Sequence, residues 1–393
     1  MSSHPASHDG GRVQGSRDEG ARREGARPEG DDGPRSSGLS RTAPSRTGSP
    51  GSGPSRTEPP RSGPGGDAHD YLEVLHRFEG CRIGVVGDMV ADVYVLGQPQ
   101  RLSREAPVII IRWESETTLP GSAANTVANL AALSARVTAV AVLGNDPAGR
   151  MLRDRLGQLG VDLSGLLLSD DMGTVTKTRI LAGDHNRTKQ QVIRIDREPQ
   201  AVLPEGVVEI VQETLEVCDR SVDAWIVSDY DYGLIDTRVI AQLNGIAKRK
   251  PVIVDSHRRL GFFRGVTLVT PNEEEALGSV AGVEAGGDPA VAGRLLLKTI
   301  GSQGVLVTRG NRGMVLLERD GHEVSIPIVG TAEVVDVSGA GDTVTATAGL
   351  ALVAGASMEQ AARLANLAAS VVVMRTGAAT CTRQELCDRL RLI

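Results

Sequence analysis

Short runs of apolar, mostly β-branched residues recur along the chain from about residue 82 onward, and they are continuous rather than alternating with polar residues. This pattern predicts strands buried on both faces of a sheet, at residues 83–86, 137–143, 224–227, 252–254, 266–269 and 305–307. Between them, apolar residues spaced three and four apart predict helices, at residues 123–133, 151–159, 207–217, 235–247 and 361–373. Strands that alternate with helices indicate an α/β fold with a mostly parallel sheet.

Two segments interrupt this alternation, because residues 94–120 and 173–198 have strand-like composition without an intervening helix. The second alternates polar and apolar residues from 191 to 197, which is typical of a sheet with one face toward water or a ligand. We interpret both as one small lid over the carboxyl ends of the main strands, where ligands bind in open α/β sheets. Two separate surface hairpins are the alternative. The exposed edge of such a lid favours pairing with a second copy, as a homodimer.

Residues 1–69 differ in kind from the rest of the chain. Their only large apolar residues are Met1, Val13 and Leu39, and no aromatic residue precedes Tyr71. Such a segment buries too little apolar surface to offset its ordering entropy. We therefore predict a disordered tail rich in Gly, Ser, Arg and Pro at 1–69 and a folded domain at 70–393.

Charge and composition exclude several classes of protein. The chain has 43 basic and 49 acidic side chains and a formal net charge of −6, which argues against nucleic acid as a partner because phosphate neutralisation needs a basic excess. No apolar run approaches the ~18 residues of a membrane helix, and no N-terminal stretch resembles a secretory signal. The four cysteines form no Cys-x-x-Cys pair, so we interpret them as reduced thiols of a cytoplasmic protein.

The strongest chemical signal is the sequence Asp-Val-Ser-Gly-Ala-Gly-Asp-Thr at residues 336–343, where a β-branched run is predicted to end and a helix to begin. Free N–H groups at a helix N-terminus carry about half a positive charge and bind anions. The amides of Gly339, Ala340 and Gly341 are therefore predicted to hold a transferring phosphoryl group. Asp342 is predicted to accept the proton of the attacking hydroxyl; the alternative is that it is an ordinary helix cap.

This segment resembles the C-terminal signature of the ribokinase, or PfkB, family of sugar kinases, and further landmarks follow in family order from residue 84 to 390. The resemblance implies a ribokinase-like three-layer sandwich with a small β-sheet lid, and an ATP-dependent carbohydrate kinase that uses Mg²⁺. It implies substrate-binding roles for Asp88, Asp92, Gly121, Ser122 and Asn125. It also implies a nucleotide site, with Glu275 helping to hold the metal ion, formed by Asn272, Glu275, Thr308, Arg309, Gly310 and Asn366. Capping of a turn or helix is the alternative for Asp88, Asp92 and Asn125.

Within the family, residues 101–108, 176–179, 194–198 and 228–230 resemble the bacterial heptose-7-phosphate kinases. This resemblance implies phosphorylation of the anomeric hydroxyl of D-glycero-D-manno-heptose 7-phosphate, which gives the 1,7-bisphosphate. A phosphorylated substrate needs cationic partners, and Lys177, Arg179 and Arg194 are predicted to supply them, with Asp229 as a further substrate contact. The alternative is that the three basic residues are solvated charges on a sheet face. Many heptose kinases are fused to an adenylyltransferase, and here a separate adenylyltransferase is expected to act downstream.

The chain departs from that branch in three places. Ser122 stands where the family usually has Gly, residues 254–257 read Val-Asp-Ser-His where the branch has V-D-P-K, and residues 231–233 read Asp-Tyr-Gly where it has G-K-G. Two lysines are thus missing, and Arg258 or Arg259 is a candidate replacement. Another PfkB-type sugar or nucleoside kinase and a non-catalytic sugar- or nucleotide-binding regulator therefore remain alternatives. A Rossmann dehydrogenase is disfavoured because no G-x-G-x-x-G joins the first strand to its helix.

Overall fold

The computed structural model of the protein describes residues 68–183, 189–198, 203–204, 206–280, 287–330 and 334–392. The predicted tail lies outside these ranges, apart from its last two residues, which begin the first helix. The described strands are β1 (Arg82–Gly87), β2 (Met89–Leu102), β3 (Ile109–Ser122), β4 (Arg136–Gly144), β5 (Asp162–Ser169), β6 (Thr176–Ala182), β7 (Gln190–Arg197), β8 (Ala224–Asp229), β9 (Val252–Ser256), β10 (Leu268–Val269), β11 (Gly304–Thr308), β12 (Met314–Glu318) and β13 (Glu323–Ile326).

The α-helices of the same residues are α1 (Ala68–Arg77), α2 (Ala123–Ala132), α3 (Pro147–Gln158), α4 (Val207–Asp219), α5 (Thr237–Ile246), α6 (Glu273–Gly278), α7 (Pro289–Ile300), α8 (Ala340–Val353), α9 (Met358–Val372) and α10 (Arg383–Leu390). Not one of these described helices combines the length and the apolar character needed to cross a membrane.

The main sheet has nine strands within the described residues, in the order β13-β12-β11-β10-β9-β8-β1-β4-β5. β12 pairs antiparallel with β11 and β13, and the remaining pairs are parallel. The strand order reverses at β1, because β4 lies on one side of it and β8 on the other. Ligands of open α/β sheets bind at such a switch point, outside the carboxyl ends of the strands.

Helices cover both faces of this sheet. Trp225 and Ile226 are neighbours in β8, so their side chains point to opposite faces, and both are fully buried. A Cβ atom at Gly349 of α8 would lie 2.9 Å from the Ile226 side chain. The Trp225 indole instead donates to Asp219 Oδ1, at the end of α4, at 2.9 Å. The predicted three-layer α/β sandwich with a mostly parallel sheet is therefore confirmed.

A second, smaller sheet has four strands in the order β3-β2-β6-β7, and we call it the lid. β2 pairs antiparallel with β3 and parallel with β6, and β6 pairs antiparallel with β7. The two segments without a predicted helix therefore form one sheet rather than two separate hairpins. The first two strands extend closer to the main sheet than predicted, since β2 begins at Met89 and β3 ends at Ser122.

Helix and strand boundaries differ from those expected where they depend on polar side chains or on contacts made by loops. α3 begins at Pro147 rather than at residue 151, because the preceding Asp146 caps it by accepting the Gly149 N–H at 2.8 Å. The β-branched residues at 334–337 do not form a strand. The Val335 N–H there donates to Val373 O, at the end of α9, at 2.9 Å, so this run is a loop held by a helix terminus.

We expect Gly84→Ala to lower the free energy of unfolding by about 1–3 kcal/mol, as overpacking of a filled core does. The new Cβ would lie 2.5 Å from the fully buried Trp225 ring. Gly245→Ala in α5 is the matched control, because its new Cβ would meet no described atom within 4 Å beyond its chain neighbours and the backbone of its own helix. That exchange should stabilise the helix by about 0.5–1 kcal/mol. Urea unfolding of both variants checks the pair, and equal effects would contradict the packing argument.

Candidate active site

The loop before α8 turns at Gly339, whose φ of 76° lies in the left-handed region that favours glycine. A Cβ atom there would also lie 2.3 Å from the side-chain nitrogen of Asn125. The N–H groups of a first helical turn have no acceptor within the helix, but the Ala340 N–H donates back to Val337 O at 3.2 Å. Of the amides predicted to hold a phosphoryl group, that of Ala340 is therefore used in the turn, and that of Gly341 is left at the open end of the helix.

Asp342 lies in the same turn, and its carboxylate is buried. The hydroxyls of Tyr230 and Thr126 donate to Oδ1 at 2.8 and 3.2 Å, and the Asn125 amide donates to Oδ2 at 3.0 Å. Burial raises the pKa of Asp342 to about 6, and the three donors oppose that rise by stabilising the charged form. Gly339 occupies the cap position of α8, so the alternative reading of Asp342 as the helix cap is wrong.

Several predicted substrate residues lie on β2, at the end of β3 and at the start of α2. Asn125 directs its amide nitrogen at Asp342. A Cβ at Gly121 would lie 2.7 Å from the Asp92 carboxylate, so only glycine leaves room for that side chain. Ser122 has a φ of 54° and a ψ of −130°, a sparsely populated backbone conformation that costs a non-glycine residue roughly 1–3 kcal/mol. The family's usual glycine would adopt it without strain.

Asp88 follows β1 and is buried, and its carboxylate organises the loop after β8. Oδ2 accepts the N–H groups of Tyr230 and Tyr232 at 2.9 and 3.1 Å, and Oδ1 accepts that of Leu234 at 3.4 Å. Burial, with a smaller contribution from the nearby charge of Asp229, raises the pKa of Asp88 to about 6. In this structure, a residue predicted to bind sugar thus holds the loop that carries Tyr230.

The carboxylate of Asp229, at the end of β8, also accepts hydrogen bonds from side chains of the protein. It accepts from the Ser256 hydroxyl at 2.6 Å and from the Arg259 guanidinium at 2.9 Å. Arg259 contacts Asp231 as well, at 2.5 Å, and Arg258 lies 3.5 Å from the same carboxylate. Both candidate replacements for the missing lysines are therefore paired with acidic side chains of the loop.

The three predicted lid cations share one face of the lid. Lys177 and Arg179 are two residues apart in β6, and Arg194 lies opposite Arg179 in β7, so their side chains leave the sheet on the same side. The Arg179 guanidinium pairs with Asp92 Oδ1 at 2.7 Å, and that of Arg194 pairs with Asp196 at 3.0 Å. Two of the three charges are thus balanced within the lid.

Lys177 differs from the other two lid cations. Its ammonium lies 5.6 Å from the ring centroid of Tyr230 and 5.8 Å from that of Tyr232, which is the range of cation–π contacts. Within the described ranges, it has no carboxylate at ion-pair distance. Because the Tyr230 hydroxyl contacts Asp342, this lysine brings a positive charge from the lid to the edge of the carboxylate site.

A largely apolar cavity of about 430 Å³ opens beside the N-terminus of α8. Five residues predicted for phosphate or nucleotide binding line it, namely Thr308, Gly310, Ala340, Gly341 and Asn366. Arg309 does not line the cavity and pairs with Glu273 at 3.1 Å. The apolar lining of the cavity was not predicted from the sequence; it includes Ile328, Val329, Val334, Val337, Val344 and Val373. The signal that could have indicated it is the β-branched run at 334–337.

Asn272 and Glu275 form a capping box at the start of α6. The Glu275 N–H donates to Asn272 Oδ1 at 2.9 Å, and the Asn272 N–H donates to Glu275 Oε2 at 2.8 Å. The other oxygen of Glu275, Oε1, lies 3.6 Å from His257 Nε2. Glu275, the predicted metal ligand, therefore has one oxygen fixed by the helix cap and one that faces the His257 ring.

Asp255, to which the sequence pattern assigns no role, is the unusual carboxylate of the site. It is buried and has no hydrogen-bond partner within the described part of the chain. Burial, and then the charges of Glu275, Asp342 and Asp229, raise its pKa well above the usual range. A buried, unpaired carboxylate among other carboxylates is an environment that a cation would stabilise.

Comparison with known proteins agrees with this architecture. The ribokinase of Arabidopsis thaliana, solved with ribose and ATP, is 25% identical and superposes with a TM-score of 0.61 over 79% of this chain and 99% of that one. Phosphofructokinase-2 of Escherichia coli, solved with potassium, is 18% identical with a TM-score of 0.65 over the same shares of the two chains. The predicted ribokinase-like fold is therefore confirmed.

Curated relatives include two proteins named Bifunctional protein HldE. The one from Desulfatibacillum aliphaticivorans is 38% identical over 323 residues, and the one from Caulobacter sp. (strain K31) is 40% identical over 324 residues. These matches cover 80% and 81% of this chain, which spans about 64% of the length of either relative. The model of the pfkB family carbohydrate kinases matches residues 85–385. This chain therefore belongs to the pfkB family of carbohydrate kinases, as its sequence predicted.

Proposed function

We propose that the protein transfers the γ-phosphoryl group of ATP to a sugar hydroxyl, with Asp342 as the general base. The observation that carries this proposal is the position of one ionisable carboxylate in the first turn of α8. The apolar cavity lies on one side of that turn, and Asn125 and Tyr230 contact the carboxylate from the other elements of the site. The cavity suits an adenine ring, and the Gly341 N–H suits a phosphate oxygen.

Mg²⁺ fits the donor set of this site, and we propose Asp255 and Glu275 as the residues that would hold it, because hard cations prefer carboxylate oxygens. The described residues contain no group of three or more metal-ligating side chains. Phosphate oxygens and water would therefore complete the coordination. When bound, the ion neutralises the charge that develops on the transferring phosphoryl group.

For the acceptor, we propose a sugar phosphate, with the anomeric hydroxyl of D-glycero-D-manno-heptose 7-phosphate as the reacting group and the 1,7-bisphosphate as product. Lys177, which has no carboxylate at ion-pair distance among the residues that the structure describes, supports a phosphorylated substrate, because a phosphate bound beside the two tyrosine rings needs a cation. The branch resemblance of the lid segments and the HldE-named relatives support the heptose.

A second candidate is phosphorylation of a different sugar phosphate by the same machinery. It is favoured by the pairing of Arg258 and Arg259 with acidic side chains, which leaves the two missing lysines without a replacement. A non-catalytic regulator is disfavoured because the carboxylate, amide and cavity of the phosphotransfer site are all present.

Two further proposals concern a downstream enzyme and the location of the protein. The product of anomeric phosphorylation is a sugar 1-phosphate, which an adenylyltransferase would consume downstream. A cytoplasmic location fits the use of ATP and the free state of Cys81, Cys218, Cys381 and Cys387.

We also propose a homodimer formed through the lid. β7 lies at an edge of the lid sheet, and Ile193 and Ile195 are exposed there on the face opposite Arg194. A second copy of this chain offers the same strand edge and the same apolar side chains, which is what a two-fold symmetric interface requires.

Asp342→Asn is expected to lower kcat about 10³-fold, within the usual range for loss of a general base. ATP affinity should change little, because the apolar cavity is untouched. Coupled ADP assays and nucleotide titration measure the two effects. Asp388→Asn on α10 is the matched control, because it removes an exposed carboxylate that has no role in the proposed site. Near-normal turnover of the Asp342 variant would exclude it as the base.

Lys177→Met tests the proposal that the acceptor substrate carries a phosphate group. A panel of sugars and their 1-, 6- and 7-phosphates should identify a phosphorylated substrate for the unaltered protein. With that substrate, we expect the variant to raise KM roughly tenfold or more, as for a lost hydrogen bond to a charged group, and to leave the KM of ATP unchanged. Lys298→Met on α7 controls for removal of a surface lysine. An unphosphorylated best substrate would contradict the substrate proposal while leaving the kinase proposal intact.

Ile195→Lys should abolish the dimer, because it introduces a charge at the proposed interface. Sedimentation velocity measures the change from dimer to monomer. Ile210→Lys on α4 is the control, since Ile210 is 47% exposed and Ile195 is 54% exposed. A monomeric unaltered protein, or a variant that stays dimeric, would exclude the lid interface.

A further inference from the structure

The two oxygens of the Asp342 carboxylate have different surroundings, and this difference bears on the proposed phosphotransfer. Oδ1 receives two hydrogen bonds, from the Tyr230 hydroxyl at 2.8 Å and the Thr126 hydroxyl at 3.2 Å. Oδ2 receives one, from the Asn125 amide at 3.0 Å. An ionised carboxylate offers about two lone-pair sites on each oxygen. Both sites of Oδ1 are therefore occupied, and one site of Oδ2 is open.

Contacts of its backbone and its ring fix the position of Tyr230 and direct its hydroxyl at Asp342. Its N–H donates to Asp88 at 2.9 Å, and its ring lies 4.4 Å from the His257 ring, with the Lys177 ammonium 5.6 Å from its centroid. Burial, followed by the negative charge of Asp342, raises the pKa of Tyr230 well above its usual range. The phenol therefore stays protonated near neutral pH and acts as a donor.

We propose that Tyr230 is a positioning residue for the reaction and that Oδ2 of Asp342 is the atom that accepts the proton. This inference rests on the proposed function. By occupying Oδ1 together with Thr126, the tyrosine leaves Oδ2 as the oxygen open to an acceptor hydroxyl.

In the chemical step, the O–H bond of the acceptor breaks and its proton forms a bond to Oδ2. The acceptor oxygen bonds to the γ-phosphorus of ATP as the bond from that phosphorus to the bridging oxygen breaks, and the electron pair of that bond leaves with ADP. The carboxylic acid then returns its proton to water.

The pH dependence of the step follows from the groups that face Asp342. Asn125 and Thr126 face it from α2, Tyr230 from the loop after β8, and the charges of Asp92 and Asp255 from β2 and β9. The donors favour the ionised carboxylate, and the two acidic charges oppose it. Removing the Tyr230 hydroxyl removes one donor, so the pH below which Asp342 is protonated should rise.

Tyr230→Phe tests the inference with the full-length protein and the best acceptor of the sugar panel. We expect kcat at pH 7 to fall roughly tenfold, as for a lost hydrogen bond to a charged group, with the KM of ATP unchanged. The acid limb of kcat/KM should move to higher pH. Tyr71→Phe is the matched control, because the buried Tyr71 hydroxyl has no hydrogen-bond partner in the described chain, and its kinetics should equal those of the unaltered protein.

Unchanged kcat and an unchanged acid limb in Tyr230→Phe would overturn the inference, and so would a lower kcat with an unmoved acid limb. If that variant fails to fold, Thr126→Val should move the acid limb in the same direction, and Thr126→Ser should restore it; failure of both would equally overturn the assignment. An unaltered protein inactive on the whole panel would instead count against the proposed function.

Discussion

The site depends on the cost of burying a carboxylate. Asp342 is almost inaccessible to solvent, and an ionised acid in that position is stable only if hydrogen-bond donors replace the water it has lost. The donors come from two elements that are far apart in sequence, α2 and the loop after β8. α2, the loop after β8 and the start of α8 therefore have to meet at one point for the carboxylate to remain charged.

The surrounding carboxylates divide into two groups with different physical roles. Asp88 and Asp229 accept hydrogen bonds from backbone or side-chain donors of the chain, and they fix the loop between β8 and α5. Asp255 has no such donor among the described residues, and Glu275 shares its charge with a helix cap. The first group maintains the shape of the site, and the second leaves negative charge that a bound cation would balance.

The sequence predicted the layers and the family because both depend on local patterns. Continuous apolar runs mark buried parallel strands, and the Gly-Ala-Gly turn marks the start of α8. The sequence did not predict which of the candidate site residues form hydrogen bonds or ion pairs within the chain. No sequence pattern indicates that Arg259 pairs with Asp229 and Asp231, or that Asp88 accepts N–H groups of the Tyr230 loop, because those contacts depend on the packing of β1, β8 and β9. The wall of the cavity could not be predicted for a related reason, since β-branched residues favour strands and apolar pocket linings alike.

Ser122 has a consequence for any effort to engineer this protein. Its left-handed backbone at the start of α2 is a conformation that glycine adopts freely, so a selection for heat resistance alone would favour glycine at this position. The same exchange would delete a buried hydroxyl next to the turn that carries Asn125. If that hydroxyl contributes to substrate binding, selection for thermal stability would favour glycine at this position and selection for substrate binding would favour serine.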